Sequence, residues 1–302
     1  MLSQTRLDQP TVLTLGVFDG VHLGHRHLFQ HVKEEAARLG CQSAVLTFTV
    51  HPRQVLDPAF RPSLLTTLER RIQLLRETGL DLVLPIPFDR ELSYLTASEF
   101  VALLRRHLCM KGLVVGPDFA MGHRREGTVE ALQHMARHMA FTLKVVRTFQ
   151  LEGAEVRSTA IRRALAQGDV TAAARMLGRP YLLEGKVMKG EGRGRELGFP
   201  TANLAPDPSL ALPADGIYAT WAIVEGKRLP SATSIGTRPT FGPGDRTIET
   251  FIIDFHGQLY GQPMSLEFMA RLRDEQRFDS VEALVQQMHK DVEQAREVLE
   301  RS

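Results

Sequence analysis

The chain has 302 residues, of which 43% are hydrophobic and 24% are charged, as is usual for a globular protein. This length exceeds what one hydrophobic core usually organises, so we expect two domains. The 37 basic residues nearly balance the 35 acidic ones and leave a net charge of +2. Without a long basic run, this balance excludes non-specific nucleic-acid binding as the main role, whereas phosphorylated small molecules stay possible.

The two cysteines give no sign of a disulfide framework or a zinc site. Cys41 and Cys109 lie far apart and form no CxxC pair. The sequence does not open with a charged start and an apolar core, and no uninterrupted apolar stretch is long enough to span a membrane. We therefore expect a cytoplasmic protein that is neither exported nor inserted in a membrane.

In the first half of the chain, up to about residue 178, short β-rich runs alternate with helical periodicity. An apolar stripe predicts a helix over residues 25–39, with Gly40 as its C-terminal cap. Two capping boxes open further helices, at Thr66 with Glu69 and at Thr96 with Glu99. Strands are predicted at residues 11–15, 42–48, 80–86, 112–116 and 141–149. Such alternation implies a parallel sheet with helices on both faces and ligands at the carboxyl ends of its strands.

The densest signal in this half is the decapeptide GVFDGVHLGH at residues 16–25, between a predicted strand and a predicted helix. A helix start favours anions, because its first N–H groups lack intrahelical partners and its dipole is positive there. A surface turn with two incidental histidines is the alternative, yet HxGH in this context is typical of nucleotidyltransferases. We predict that His22 and His25 stabilise charge at the reacting phosphorus. The residues of this loop predicted to bind ATP are Gly16, Phe18, Asp19 and Gly24.

Two other places are predicted to contact ATP. Ser158 and Thr159 precede a helical segment and offer hydroxyl groups, and Arg162 adds a cation, so we assign all three to the triphosphate. The alternative is an ordinary helix cap beside a solvated arginine. His51 follows the second predicted strand and either contacts the nucleotide or only ends that strand before a proline.

Asp118 and Phe119 follow a later strand and either bind the flavin ring or serve as turn and core residues. The decapeptide, the VVGPDFAMG loop and the STAIR sequence together resemble the flavin adenylyltransferase half of bifunctional prokaryotic riboflavin kinase/FAD synthetases. The resemblance implies a nucleotidyltransferase-like Rossmann domain. The chain departs from the family at Val50, where proline is usual, and at Arg157, where serine is usual.

The pattern changes after residue 180, where glycine, proline and β-branched residues dominate. Strands predicted at residues 181–188, 216–224, 231–235, 248–255 and 264–269 favour a closed antiparallel barrel. Ser280 caps a final helix, whose buried stripe is predicted as Val281, Leu284, Val285, Met288 and Val292. We therefore predict an α/β domain over residues 1–180 and a barrel domain over residues 181–302.

Alternating glycines over residues 185–198 are not a dinucleotide-binding signature, because a Phe-Pro pair follows them instead of an amphipathic helix. A flap over ATP phosphates that includes Gly190 and Gly194 is the better interpretation. If the following chain is extended, Thr201 and Asn203 present oxygen atoms to one face, as Mg²⁺ requires. Alone, the Pro-Thr-Ala-Asn sequence would favour an ordinary turn.

Downstream sequences change that preference, because together with GFPTAN they resemble the riboflavin kinase module. They span residues 234–241, 249–255 and 259–261. The resemblance implies that Glu249 is the base for the attacking hydroxyl, with ATP and Mg²⁺ at Thr201 and Asn203. For Glu249 the alternative is a surface residue on an edge strand. The family commonly has asparagine where this chain has Ser234.

The sequence LRDEQRF also matches the family, in which this region covers the flavin. We predict flavin contacts from Arg273 and Phe278. Arg273 is alternatively a cation that caps a helix.

The sequence thus predicts a bifunctional enzyme of flavin cofactor biosynthesis. The barrel domain would convert ATP and riboflavin to FMN and ADP, and the α/β domain would convert ATP and FMN to FAD and pyrophosphate, both with Mg²⁺. The alternatives are an HxGH nucleotidyltransferase for another phosphorylated acceptor and a non-catalytic flavin-binding regulator. The barrel motifs disfavour the first, and the retained candidate catalytic residues disfavour the second. The oligomeric state is not encoded in any pattern of the sequence.

Overall fold

The structure is a computed structural model that describes residues 6–190, 193–237 and 246–301. Two compact units divide the chain. The first contains the residues up to Pro62 and Thr67–Arg157, and the second contains Ser63–Thr66 and the chain from Ser158 onward. The predicted fold class is confirmed, because a parallel α/β sheet is followed by a closed antiparallel barrel and a C-terminal helix.

The first unit is built around a five-stranded parallel sheet. Its strands are β1 (Thr11–Gly16), β2 (Gln42–Phe48), β3 (Leu82–Ile86), β4 (Met110–Val115), β5 (Ala120–Met121), β6 (Gly127–Thr128), β7 (Thr142–Val145), β8 (Gln150–Leu151) and β9 (Ala154–Glu155). Its helices are α1 (Leu23–Leu39), α2 (Pro52–Leu56), α3 (Leu68–Arg76), α4 (Arg90–Tyr94), α5 (Ala97–His107) and α6 (Val129–His138). The sheet order is β3-β2-β1-β4-β7, so the order reverses between β1 and β4. Ligands of open parallel sheets bind at the carboxyl ends of the strands beside such a reversal.

Hydrophobic residues of the sheet alternate between two cores, one on each face. Leu13 of β1 packs with Phe100 of α5, whereas its neighbour Val12 packs with Phe29 of α1. All four side chains are at most 5% exposed. Burial on both faces explains the nearly continuous apolar runs of β1 and β2.

Two helix caps of this unit are the ones predicted from the sequence, and a third differs from its prediction. Gly40 caps α1 with a left-handed φ of 61°, and Thr96 forms a capping box with Glu99. The predicted box at Thr66 is wrong, because Thr67 caps α3 by accepting the N–H of Arg70 at 3.2 Å. The helix therefore begins one residue later than expected, and Glu69 lies too close to the cap to close a box.

The described residues of the second unit form a six-stranded barrel and four helices. Its strands are β10 (Tyr181–Met188), β11 (Ala202–Pro206), β12 (Gly216–Val224), β13 (Lys227–Thr237), β14 (Arg246–Ile252) and β15 (Pro263–Arg273). Its helices are α7 (Ser158–Ala166), α8 (Val170–Leu177), α9 (Arg193–Glu196) and α10 (Val281–Glu300). The barrel closes in the order β10-β11-β14-β13-β12-β15, with every pair antiparallel. β14 thus lies between β11 and β13 and is not an edge strand.

Helices α7 and α8 pack with the barrel rather than with the parallel sheet. Ile161 of α7 and Leu177 of α8 belong to the same buried cluster as Tyr181 and Phe268 of the barrel. The N–H of Ala214 also donates to the carbonyl oxygen of Leu165 at 2.8 Å. The division into compact units accordingly falls after Arg157, while the domain limit at residue 180 stays a prediction.

The C-terminal helix begins where the sequence indicates, but its buried face differs. Ser280 accepts the N–H of Ala283 at 3.1 Å and caps α10. Val281 was predicted to be buried, and that prediction is wrong, because its exposed fraction is 56%. Residues 281–283 at the start of α10 are exposed, whereas Ala295 and Leu299, near its other end, are at most 3% exposed and pack against the barrel.

Four hydroxyl groups form a connected chain inside the barrel. Ser231, Thr220, Thr233 and Thr250 are each 0% exposed. Consecutive hydroxyl oxygens along this series are 2.8, 2.7 and 3.0 Å apart. The chain satisfies polar groups that would otherwise be costly in a hydrophobic interior.

We expect Thr233→Val to lower the free energy of unfolding by about 1–3 kcal/mol, because Thr220 and Thr250 would each lose a buried partner. Urea or thermal unfolding measures the change. Thr237→Val, at the exposed end of the same strand, is the matched control and should have little effect. Equal effects of the two substitutions would contradict this role for the buried chain.

Candidate active sites

The first candidate site lies at the start of α1, at the carboxyl end of β1. His22 is the N-cap residue, and its Nδ1 accepts the backbone N–H of His25 at 3.3 Å. Since Nδ1 is the acceptor, the neutral ring carries its proton on Nε2. This cap bond orients the ring of His22 at the helix start.

The loop that leads to this helix has a strained backbone. Phe18 and Val21 adopt left-handed φ angles of 52° and 41°, and Gly20 has a φ of 80°. The ring of Phe18 packs edge-on against His25, with 5.2 Å between ring centroids, and lies over Gly16. Backbone strain of this kind persists only where surrounding packing holds it, and it is often found at functional sites.

Gly24 is required by the space around it. A Cβ atom at this position would lie 2.8 Å from the carbonyl oxygen of Val156 and 3.1 Å from Nδ1 of His22. Any larger residue would have to displace a backbone carbonyl. The helix start is therefore packed directly against the segment that contains Val156.

His25 is held neutral by its surroundings. Its ring stacks on that of His22 with 3.6 Å between centroids and an angle of 20°. Burial, and then the neighbouring His22, lower the pKa of His25 well below its usual value. Its Nδ1 is buried and has no hydrogen-bond partner among the described residues. A neutral, closely packed imidazole can donate or accept one hydrogen bond to a bound substrate.

One cavity of about 270 Å³ brings together half of the residues predicted for this site. Its lining includes Phe18, His22, Gly24, His25, Asp118 and Phe119. The last two follow β4, on the other side of the reversal in strand order from β1. The sheet topology thus explains why two sequence-distant motifs meet.

Other predicted residues of the first half lie outside that lining. Gly16 is the last residue of β1, and Asp19, which is only 4% exposed, belongs to the strained loop. His51 caps α2, and its ring packs against Phe60 at 5.3 Å. Nucleotide contacts by these residues stay predictions.

Ser158, Thr159 and Arg162 stand at the start and on the first turn of α7, as the sequence indicates. These residues belong to the second compact unit. Nε of Arg162 donates to the carbonyl oxygen of Ser63 in that unit. Their assignment to the triphosphate stays a prediction.

The second candidate site lies on three adjacent strands of the barrel. Glu249 of β14 is paired with Asn203 of β11 on one side and with Ser234 of β13 on the other. Cross-strand partners share a face of the sheet, so the three polar side chains lie side by side. The hydroxyl of Thr201 donates to Oε2 of Glu249 at 3.3 Å. The sequence-distant residues predicted for this site are therefore neighbours.

Two glycines lie closely against the polar pair Thr201 and Asn203. A Cβ at Gly190 would lie 2.3 Å from Nδ2 of Asn203, and one at Gly194 would lie 3.3 Å from Oγ1 of Thr201. Residues 191 and 192 and the predicted motif residues 238–241 lie outside the described part of the chain. The described glycines leave a cradle that a side chain would fill.

These oxygen atoms fit a magnesium ion. A hydroxyl, an amide and a carboxylate, from Thr201, Asn203 and Glu249, are the donors that Mg²⁺ prefers, and it usually takes few protein ligands beside substrate phosphates. The described residues contain no group of three His, Cys, Asp or Glu side chains that could hold a metal. At such a site, phosphate oxygens of the substrate would complete the coordination of the ion.

A pocket opens beside this polar group at one end of the barrel. Pro200, Thr201, Thr250, Phe255 and Tyr260 are among its lining residues. Its lining combines polar residues, such as Thr201 and Tyr260, with apolar ones, such as Pro200 and Phe255, and small-molecule sites likewise combine the two kinds. Thr201 thus belongs both to this pocket and to the polar group around Glu249.

The predicted flavin residue Arg273 makes a buried ion pair. Its Nε and Nη2 donate to the two carboxylate oxygens of Asp291 at 2.8 and 2.7 Å, and both side chains are at most 15% exposed. The guanidinium also lies 5.8 Å from the ring of Phe278. The pair joins the end of β15 to α10 and differs from the helix-capping alternative, because Asp291 lies in the middle of the helix.

Comparison with known proteins matches both halves of the chain. A family model described as FAD synthetase matches residues 4–160, and one described as riboflavin kinase matches residues 177–299. A bifunctional riboflavin kinase/FMN adenylyltransferase of Pseudomonas fluorescens is 38% identical over 94% of this chain and 92% of its own length. The chain belongs to this bifunctional family.

Other relatives in the family are similar over the same span. The Escherichia coli K12 enzyme is 38% identical over 95% of this chain and 92% of its own length, and the Bacillus subtilis enzyme is 34% identical over 94% and 91%. A crystal structure described as a macrolide-efflux protein from Streptococcus pneumoniae has a TM-score of 0.88 and 29% identity, covering 98% of this chain and 96% of that one. None of the helices described for the present chain is long and apolar enough to cross a membrane.

The structure adds residues that sequence analysis did not assign to the sites of this family member. Arg147, Phe149 and Arg157 line the cavity of the first unit. Ser234 stands beside Glu249, and Asp291 fixes Arg273. Two of these residues, Arg157 and Ser234, could have been found from the sequence, because both are departures from the family within matched motifs.

We expect the buried His25 to make stability fall in mild acid. Its pKa in the folded protein lies below the ordinary value of about 6.5, so the unfolded state takes up the proton first. Above that value the effect vanishes. Below it, the free energy of unfolding decreases by up to about 1.4 kcal/mol per pH unit until the folded-state pKa is reached.

Denaturant unfolding between pH 7.5 and pH 5 measures this slope. His25→Gln should give a flatter profile, whereas His31→Gln, on the same helix but partly exposed, should keep the steep one. If the His25 variant and the unsubstituted protein lost stability in parallel, the inferred neutrality of His25 would be wrong.

Proposed function

We propose that the chain carries out two consecutive reactions. The second unit transfers the terminal phosphoryl group of ATP to riboflavin and forms FMN and ADP. The first unit transfers the adenylyl group of ATP to FMN and forms FAD and pyrophosphate. The observation that carries this proposal is the placement of Glu249 beside Thr201 and Asn203, in a chain whose other half assembles the HxGH cavity.

In the kinase reaction, Glu249 accepts the proton of the attacking riboflavin hydroxyl while that oxygen bonds to the γ-phosphorus and ADP leaves. The hydrogen bond from Thr201 to Oε2 orients the carboxylate of Glu249. Because Glu249 lies between two paired strands, its backbone position is fixed by the barrel. Positioning and proton removal are therefore the contributions of these residues.

We assign Thr201 and Asn203 as the residues that hold Mg²⁺ together with ATP phosphates. The bound ion would neutralise phosphate charge and so favour attack by the hydroxyl. Gly190 and Gly194 permit the close approach of backbone and phosphates, because any side chain there would fill the cradle beside the two ligands.

In the adenylyltransferase reaction, a phosphate oxygen of FMN attacks the α-phosphorus of ATP, and pyrophosphate leaves without a covalent enzyme intermediate. His22 and His25 donate hydrogen bonds to the oxygens that gain charge, and the N-terminus of α1 adds the positive end of its dipole. Both rings are fixed before substrate binds, His22 by its cap bond and His25 by stacking. Preorganised donors of this kind need no rearrangement during the reaction.

The remaining predicted contacts are part of the same proposal. Asp118 and Phe119 would contact the flavin in the first unit, and Phe278 would cover it in the second, with Arg273 fixing that wall through Asp291. Riboflavin, FMN and ATP are the substrates, and we propose the cytoplasm, where ATP is abundant, as the location.

We expect Glu249→Gln to lower FMN formation from riboflavin by roughly 10²–10⁴-fold, because an amide cannot accept the proton. FAD formation from supplied FMN should stay at the native rate. Chromatographic separation of the flavins after incubation with ATP and Mg²⁺ measures both. Glu267→Gln, whose carboxylate pairs with Arg228 on the same barrel, is the matched control. Loss of both activities would refute independent sites.

The reverse result is expected for His25→Ala. FAD formation from FMN should fall on the order of 10²–10³-fold, because one preorganised donor is removed, while FMN formation is unchanged. The same chromatographic assay reports both products. His31→Ala, farther along α1, serves as the control. Native FAD formation by the His25 variant would exclude the proposed role of the HxGH histidines.

A further inference from the structure

Two arginines supply fixed positive charge to the first cavity. Among the described residues that line it, Arg147 and Arg157 are the permanent cations and Asp118 is the carboxylate. Burial lowers the pKa of two lining histidines, His25 and His27. A phosphate group that enters this cavity can therefore be bound by an arginine whatever the pH.

Arg157 is placed at the edge of the helix start by the packing of its neighbour. Val156 is 2% exposed, and its carbonyl oxygen occupies the space that a side chain on Gly24 would need. Arg157 follows directly and reaches back across the cavity to Asp118. The cation is thus tied to the same backbone contact that requires glycine in HxGH.

Two carboxylates contact the guanidinium of Arg157. Nη2 of Arg157 lies 2.9 Å from Oδ2 of Asp118, and Nε lies 2.7 Å from Oε2 of Glu155. The side chain of Asp118 is 70% exposed, and that of Arg157 is 46% exposed. Exposed ion pairs contribute little to stability, so either carboxylate can be released at small cost.

We propose that Arg157 is a substrate-binding residue of the adenylyltransferase site, which exchanges the carboxylate of Asp118 for a phosphate group. The proposal rests on the proposed adenylyl transfer. A guanidinium binds phosphate through two parallel hydrogen bonds, and these are stronger than its exposed contact with Asp118. The phosphate belongs either to FMN or to the triphosphate of ATP.

The test measures FAD formation from FMN and ATP, with each substrate varied in turn. We expect Arg157→Gln to raise the KM of one substrate on the order of tenfold to a hundredfold, because a charge-assisted phosphate contact is lost. Arg157→Lys keeps the charge and should recover part of the affinity. Glu155→Gln is the matched control, because it removes the other carboxylate contact without touching the cavity lining, and its KM values should stay near native.

The two substrates distinguish the source of the phosphate. A higher KM for FMN with unchanged KM for ATP assigns the FMN phosphate, and the opposite result assigns the triphosphate. Inhibition by inorganic pyrophosphate weakens in the Gln variant only in the second case. Unchanged KM values for both substrates, or an equal loss in Arg157→Gln and Glu155→Gln, would overturn the proposal and leave a purely structural ion pair.

Folding and the proposed function have separate readouts. FMN formation from riboflavin in the second unit should stay native in every variant. If Arg157→Gln fails to fold, Arg157→Lys decides, since lysine keeps the charge without the paired hydrogen bonds and should still raise the same KM. If the unsubstituted protein formed no FAD, the proposed function would fail. Arg157 would still be tested by titrating FMN and pyrophosphate separately into the unsubstituted protein and the Gln variant, and equal affinities for both ligands would overturn the inference.

Discussion

The contact between Gly24 and the carbonyl oxygen of Val156 determines the arrangement of the first unit's cavity. It leaves no room for a side chain at position 24. The helix start, the ring of His22 and the segment before Arg157 are therefore packed against one another. The positive end of the helix dipole and the guanidinium then lie beside the same cavity. The imidazoles of His22 and His25 and the guanidinium of Arg157 thus line the same cavity as the helix start.

The second unit achieves close approach in the same way on a different fold. Gly190 and Gly194 lie against Asn203 and Thr201, so the oxygen atoms around Glu249 can be covered by backbone alone. The barrel fixes these oxygen atoms by strand pairing, whereas in the first unit a helix start and a sheet reversal fix the cavity. Two different folds thus each place polar groups where the negative charge of a phosphate would be bound.

Local signals in the sequence were sufficient for most elements but not for their partners. β2, β10 and β12 have the predicted bounds, because apolar alternation and flanking turns are local properties. The cap at Thr67 was missed because a glutamate stands three residues after Thr66 but not after Thr67, and the exposure of Val281 depends on packing that is not a local property of the sequence. Register and pairing are non-local, so neither Ser234 beside Glu249 nor Arg157 on Asp118 could be derived from spacing.

The chain of hydroxyls inside the barrel has an evolutionary consequence. Replacing the hydroxyl of any one of these residues (Ser231, Thr220, Thr233 and Thr250) by a methyl group deprives a neighbouring hydroxyl of one hydrogen-bond partner. Apolar residues at all four positions together would leave no hydroxyl group unsatisfied. Intermediate sequences are therefore less stable than either end state. Among related barrels we expect these four positions to be polar together or apolar together, and to change in concert rather than one at a time.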